Sequence, residues 1–203
     1  TYVENDLIWK VQTDTYNREI ERYGENSIEE TEYVFYRDSE ICLSALQLIE
    51  EDTLLFIFAI RSIDTILEVF DFSISDKINF TKNNLEAFKI EFNADKKLSK
   101  QLYKKHNGLK KELIEFLEMQ SHPEYQPLID LLNIKKSQLE LIKKMILNKK
   151  LQHTVNLEDL LSSYIHMTVN RFFRDQQRLH ELVCYDNLYR FYNFKLAKNS
   201  FIK

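Results

Sequence analysis

The stretch Asp52-Thr-Leu-Leu-Phe-Ile-Phe-Ala-Ile-Arg-Ser-Ile-Asp-Thr-Ile-Leu-Glu-Val-Phe70 decides how the chain is read. Asp52 or Thr53 can cap a helix here, and the helix would be apolar on nearly all of its sides. Such a helix belongs in the middle of a core, because no face of it gains from contact with water. Its longest apolar run, Leu54 to Ile60, stops at Arg61 after seven residues. A membrane span needs about 20, so this run is core and not a span.

Helical signals continue on both sides. Upstream, Ser27-Ile-Glu-Glu30 spells a capping box, and an apolar period through Val34, Cys42, Leu46 and Ile49 predicts a helix to about Glu50. Downstream, residues 71–79 read as a break, followed by a helix to about Phe92. A lysine-rich amphipathic helix over 93–118 ends at Ser121-His-Pro123, and another charged helix covers 124–147. Residues 149–154 read as a loop. Asn156 caps a helix through Phe173, and a last helix covers roughly 175–196. Before all of these, residues 17–23 are polar, and Gly24 ends them as a left-handed residue. Residues 6–16 alternate β-branched and aromatic side chains and form the one good strand candidate. The expected architecture is a single domain over 1–203: mainly α, multi-helix, with a small β portion at the N-terminus (α+β in the full-length domain).

Composition narrows the chemistry. The 203 residues include two glycines (Gly24, Gly108) and two prolines (Pro123, Pro127). An average chain of this length carries about 14 glycines. Phosphate-cradling glycine loops, a Rossmann fingerprint and a GxSxG elbow are therefore excluded. The formal charge of −4 offers no general polyanion-binding surface, and the lysines of 95–111 share their helix with Glu112, Glu115 and Glu118. Direct nucleic-acid binding is not expected. The histidines (106, 122, 153, 166, 180) are never three or four apart, so no metal-ligand spacing exists and no cofactor is expected. Cys42 and Cys184 lie far apart in half-apolar stretches, as buried free thiols of a reducing, cytoplasmic compartment would. The N-terminus lacks a basic region that would mark a signal peptide, and the chain opens on Thr1, as a piece of a longer protein would.

Two patches carry candidate chemistry. In Tyr16-Asn-Arg-Glu-Ile-Glu-Arg-Tyr-Gly24, Glu19 and Arg22 stand three apart, on one side of any helical turn. A guanidinium there can hold a substrate carboxylate while the glutamate handles a proton; a plain surface ion pair has the same spelling. In Ser162-Ser-Tyr-Ile-His-Met-Thr-Val-Asn-Arg-Phe-Phe-Arg174, the residues Leu161, Ile165, Thr168 and Phe172 form a buried stripe. His166 and Asn170, four apart, lie on its edge. A histidine there can donate or accept a proton near neutral pH, or serve as a half-buried structural imidazole.

Taken in order, Tyr16 to Gly24, Phe35-Tyr-Arg-Asp-Ser-Glu40 and Tyr164-Ile-His-Met-Thr-Val-Asn-Arg171 resemble the C-terminal elimination domain of lantibiotic dehydratases. This is also called the thiopeptide-type bacteriocin biosynthesis domain. The resemblance covers about Asp14 to Leu196 and is weakest between Thr53 and Lys150. It implies that a separate glutamylation domain, in cis or in trans, esterifies serines and threonines of a ribosomal precursor peptide. This domain would then expel glutamate, leaving dehydroalanine or dehydrobutyrine. Carried over by position, Arg22 would hold the glutamyl group, and Glu19 and His166 would share the acid–base work. Arg18, Asn170 and Arg171 complete the candidate substrate-binding set, the last two also supporting their helix. Glu19, Arg22 and His166 would converge on one concave, solvent-reached pocket.

The family's earlier β-rich, arginine-bearing segment has no counterpart here, so the chain resembles the later part of such a domain or a shortened relative. Two other readings stand beside elimination: the pyridine-forming cycloaddition of thiopeptides, and a non-catalytic helical scaffold that binds the precursor peptide. A homodimer is a further candidate state.

Overall fold

A computed structural model describes residues 17–25, 27–147 and 155–200. Among these residues the chain is helical throughout, with no strand. The helices are α1 (Ile20–Tyr23), α2 (Ile28–Leu48), α3 (Asp52–Val69), α4 (Ile74–Glu91), α5 (Lys96–Glu118), α6 (Gln126–Leu147), α7 (Leu157–Phe172) and α8 (Gln177–Ser200). The strand expected over 6–16 and the loop expected over 149–154 lie outside the described residues.

α3 is the centre of the fold, as its all-round apolarity requires. Residues from Phe56 to Phe70 are buried almost without interruption, and the helix packs on α5, α6, α7 and α8. Phe58 meets Phe172 of α7 and Phe116 of α5 edge-on, at 5.7 and 6.5 Å between ring centres. α2 packs on α6 and α7, and the most extensive pairing joins α4 to α8. The lysines of α5 (96, 97, 100, 104, 105, 110 and 111) are exposed, while Leu102, Leu113, Phe116 and Leu117 face inward.

Helix ends depart from the expected chemistry in three places. Ser27 makes no capping hydrogen bond: its hydroxyl is buried and donates instead to the carbonyls of Tyr23 and Gly24, closing the turn between α1 and α2. The capping box sits at Ser73. Its Oγ accepts from the Asp76 N–H at 3.2 Å, while Asp76 Oδ2 accepts from the Ser73 N–H at 3.0 Å. The break expected over 71–79 is therefore only the short turn before Ile74. Ser73 and Asp76 serve as caps, not as loop. Gly24 has a positive φ of 82°, but ψ is 139°, so it is not a left-handed helical residue; a side chain is disfavoured there all the same.

Within α2 the buried face is Val34, Ile41, Cys42 and Ala45. Leu46, expected inside, is exposed. Asn156 caps α7 as expected, its Oδ1 accepting from the Glu158 N–H at 3.0 Å.

The core also holds charge. Lys135 of α6 is 3 % exposed, and its Nζ donates to Asp38 Oδ1 (2.7 Å), Ser62 Oγ (2.8 Å) and Thr168 Oγ1 (3.1 Å). One ammonium thus ties α2, α3, α6 and α7. A second centre is Asp64, which accepts from Arg61, Lys77 and Tyr192 at 3.2, 2.6 and 2.7 Å.

Candidate active site

Along α7, the residues Leu161, Ile165, Thr168 and Phe172 are buried. Ser163, His166, Met167, Asn170 and Arg171 are half-buried and recur at i, i+3, i+4, i+7 and i+8, so they form one stripe facing out. His166 lies at its α8-facing border. Its Nδ1 is 2.9 Å from Glu181 Oε2 on α8, and its Nε2 is 3.0 Å from Asn170 Nδ2, one turn along α7. Because Asn170 Nδ2 can only donate, the assigned amide orientation leaves Nε2 unprotonated and puts the ring proton on Nδ1.

Glu181 is 3 % exposed, whereas His166 is 24 % exposed. A buried carboxylate needs partners. Its second partner is Arg178 Nη1, at 3.2 Å. The same guanidinium forms a two-pronged pair with Glu91 of α4, whose Oε1 accepts from Nε at 3.1 Å, and lies over the Phe88 ring. The Arg178 bond holds the Glu91 carboxyl below its ordinary value, and that same bond raises Arg178.

Arg171 borders the stripe on the α2 side. Its Nε donates to Ser39 Oγ at 2.8 Å and its Nη1 to the Met167 carbonyl at 2.7 Å, with its guanidinium over Phe35. Asp38 lies 3.9 Å away.

The α1 group is tied to α7 through aromatic rings. Tyr23 stacks on Tyr164 at 6.2 Å and meets Phe35 edge-on at 5.2 Å, and the Tyr164 hydroxyl bonds Thr31 at 2.8 Å. Beside Tyr23, Arg22 and Glu19 form an exposed pair at 3.5 Å, and Arg18 reaches Glu32 at 2.9 Å and Glu29 at 3.8 Å. The Tyr23 hydroxyl is buried and has no hydrogen-bond partner among the described residues. Burial raises it above the ordinary phenol value. Arg22 pulls the other way, by charge and by a contact that falls short of hydrogen-bond geometry, and Arg171 adds to that pull. Glu19 adds to the upward push, so Arg22 and Arg171 on one side and Glu19 on the other act on one buried hydroxyl. No hydrogen bond or ion pair among the described residues joins Glu19 or Arg22 to His166.

Glu181, Arg178 and Glu91 were not singled out from sequence. The only signal was the three-residue spacing of Arg178 and Glu181, and nothing in it points to a histidine on another helix. The larger grooves lie elsewhere. One of about 530 Å³ is lined by Tyr33, Leu141, Ile142 and Met145; another, of about 490 Å³, runs past Phe56, Lys105, Phe173 and His180. The second groove also carries Asp52, Lys105, Arg174 and Asp175, but the α7 stripe bears the family-like motif and a histidine bonded to a buried carboxylate, which makes it the better candidate for reaction. Cys42 and Cys184 are buried free thiols; burial pushes Cys42 up to about 11 and Cys184 higher still. Among the described residues no three His, Cys, Asp or Glu side chains are grouped to hold a metal ion, and no helix is long and apolar enough to cross a membrane.

The fold and site define a helical domain with a histidine–carboxylate pair at the edge of an exposed polar stripe. A family model described as "Lantibiotic biosynthesis dehydratase C-term" matches residues 1–192, and the chain belongs to that family. Membership gives it a dehydratase-related role in a biosynthetic pathway that acts on a precursor peptide. No curated protein and no solved structure matches it.

Proposed function

We propose that this chain is a glutamate-eliminating domain, acting on glutamylated serine or threonine of a ribosomal precursor peptide. The observation that carries the reading is the His166 imidazole, half-exposed and held between Glu181 and Asn170 on the helix that bears the family-like motif. In elimination, a base takes the proton from the α-carbon of the esterified residue. The electron pair of that C–H bond becomes the new carbon–carbon double bond, the bond from the β-carbon to the ester oxygen breaks, and glutamate departs as a carboxylate. Nε2 of His166 serves as the base once the substrate displaces the Asn170 amide from its lone pair, and later releases its proton to solvent. Arg22 pairs with a carboxylate of the glutamyl group, with Glu19 and Arg18 beside it, so the substrate ester lies along the stripe between Arg171 and His166.

The test uses the full-length protein and a precursor peptide already carrying glutamyl esters, without ATP or tRNA. Loss of glutamate with appearance of dehydroalanine, read by mass spectrometry, is the expected result. Arg22→Ala should let the glutamyl peptide accumulate while the melting temperature hardly moves, since the Glu19–Arg22 pair is exposed. His166→Ala should slow elimination by ~10²–10⁴-fold. An unchanged glutamyl mass with wild-type protein ends the reading. Peptide binding without turnover would make the domain a scaffold, and consumption of a peptide bearing two dehydroalanines would make it a cycloaddition enzyme.

A further inference from the structure

Glu181 is the least expected group near the α7 stripe. It is a carboxylate in the stretch 181–188 of α8, where every residue is buried, and it spends that burial on one imidazole and one guanidinium. Burying a charge costs several kcal/mol unless it is well paired. A helix contact alone would be served as well by an apolar residue of the same size. We infer that Glu181 is a positioning residue that fixes His166 as the Nδ1–H tautomer and so presents Nε2 as the working nitrogen. This rests on the elimination reading for its chemistry, but the tautomer itself does not.

Three features support it. First, the Nδ1–Glu181 contact at 2.9 Å and the Nε2–Asn170 contact at 3.0 Å hold the ring from both sides, so it cannot rotate without losing both bonds. Second, the charged groups around the ring are Glu181 and Arg178 on α8, Glu91 on α4 and Arg171 further along α7. The four sum to zero, but Arg171 also faces Asp38 at 3.9 Å, and Glu181 is the one that bonds the ring, so a proton gained by His166 meets an anion directly. Third, Asn170 marks Nε2 as the acceptor nitrogen of the free protein, since its amide donates to the one lone pair there. Substrate must displace that amide before the α-proton reaches Nε2. The arrangement is the orienting carboxylate of a catalytic triad transferred to a carbon acid: the carboxylate sets tautomer and ring orientation and steadies the imidazolium without taking the proton itself.

The experiment pairs nitrogen-edited NMR of the His166 ring with steady-state kinetics on the glutamyl peptide, for the full-length wild-type protein, Glu181→Gln and Glu181→Asp. Wild type should show the Nδ1–H tautomer. Glu181→Gln should lose that preference, lower kcat at least about tenfold with KM within about twofold, and move the acid limb of the kcat profile to lower pH, because the anion that favours the imidazolium is gone. Glu181→Asp keeps the charge and should keep the tautomer with partial activity; it carries the test if Glu181→Gln does not fold. A purely structural Glu181 predicts lower melting temperatures with an unchanged tautomer and pH profile, which would overturn the inference. If wild type holds the Nδ1–H form through Glu181 but releases no glutamate, the elimination reading fails and the positioning role stands.

Discussion

Replacing Lys135 by methionine removes the cation from a buried carboxylate and leaves the packing nearly intact. In the wild type, Asp38 Oδ1 accepts from Lys135 Nζ at 2.7 Å and Oδ2 from Thr168 Oγ1 at 3.0 Å, and both charged side chains are at most 6 % exposed. Burial lowers the lysine below its ordinary value, and Asp38 pulls it back. Breaking such a pair by deleting one partner costs about 3–5 kcal/mol, since the remaining charge stays buried. Arg171, 3.9 Å from Asp38, takes over part of the role, which favours the lower end, about 3 kcal/mol. With a urea dependence of about 2 kcal/mol per molar, the unfolding midpoint should fall by about 1.5 M. Asp38→Asn on top of Lys135→Met removes the stranded charge and should recover more than half of the loss. Urea titrations followed by far-UV circular dichroism measure both. A midpoint change under about 0.5 M for Lys135→Met, or a double variant no better than the single one, would refute the argument from stranded charge.

Two further outcomes follow from geometry already described. Burial lowers the pKa of His106, so the fold prefers its neutral form; the Nδ1 bond to Asn187 at 2.9 Å pulls the other way without reversing this. The unfolded chain binds that proton first, so this stability is complete above about pH 6.5 and is lost as pH falls from there through the lowered folded value. His106→Gln should flatten the decline of melting temperature between about pH 6.5 and 5 relative to wild type, and an unchanged slope would count against it. Ser73→Ala removes the capping box of α4 and should cost about 1 kcal/mol, or ~2–4 °C in melting temperature for a chain of this size; a loss under about 0.3 kcal/mol would mean the cap contributes nothing.

Periodicity and capping residues determined much of the fold without help. The all-round apolarity of residues 52–70 put α3 at the centre, and the spacing of Leu161, Ile165, Thr168 and Phe172 gave the buried face of α7. His166 and Asn170 were legible as edge residues of that face, and the three ordered motifs carried the family. These signals are local. Hydrophobic burial is non-directional, so a helix records in its own sequence which side faces inward. Tertiary structure alone decided the polar partners. Glu181 meets His166 only because α8 returns beside α7, and Lys135 meets Asp38 across 97 residues of chain. Ser27 and Ser73 both precede acidic residues at capping distance, yet only Ser73 caps, because Ser27 is buried against the carbonyls of Tyr23 and Gly24. A hydrogen bond depends on direction and on a partner within about 3 Å. A polar residue carries no mark in the sequence of which partner, on which helix, the packing will bring to it.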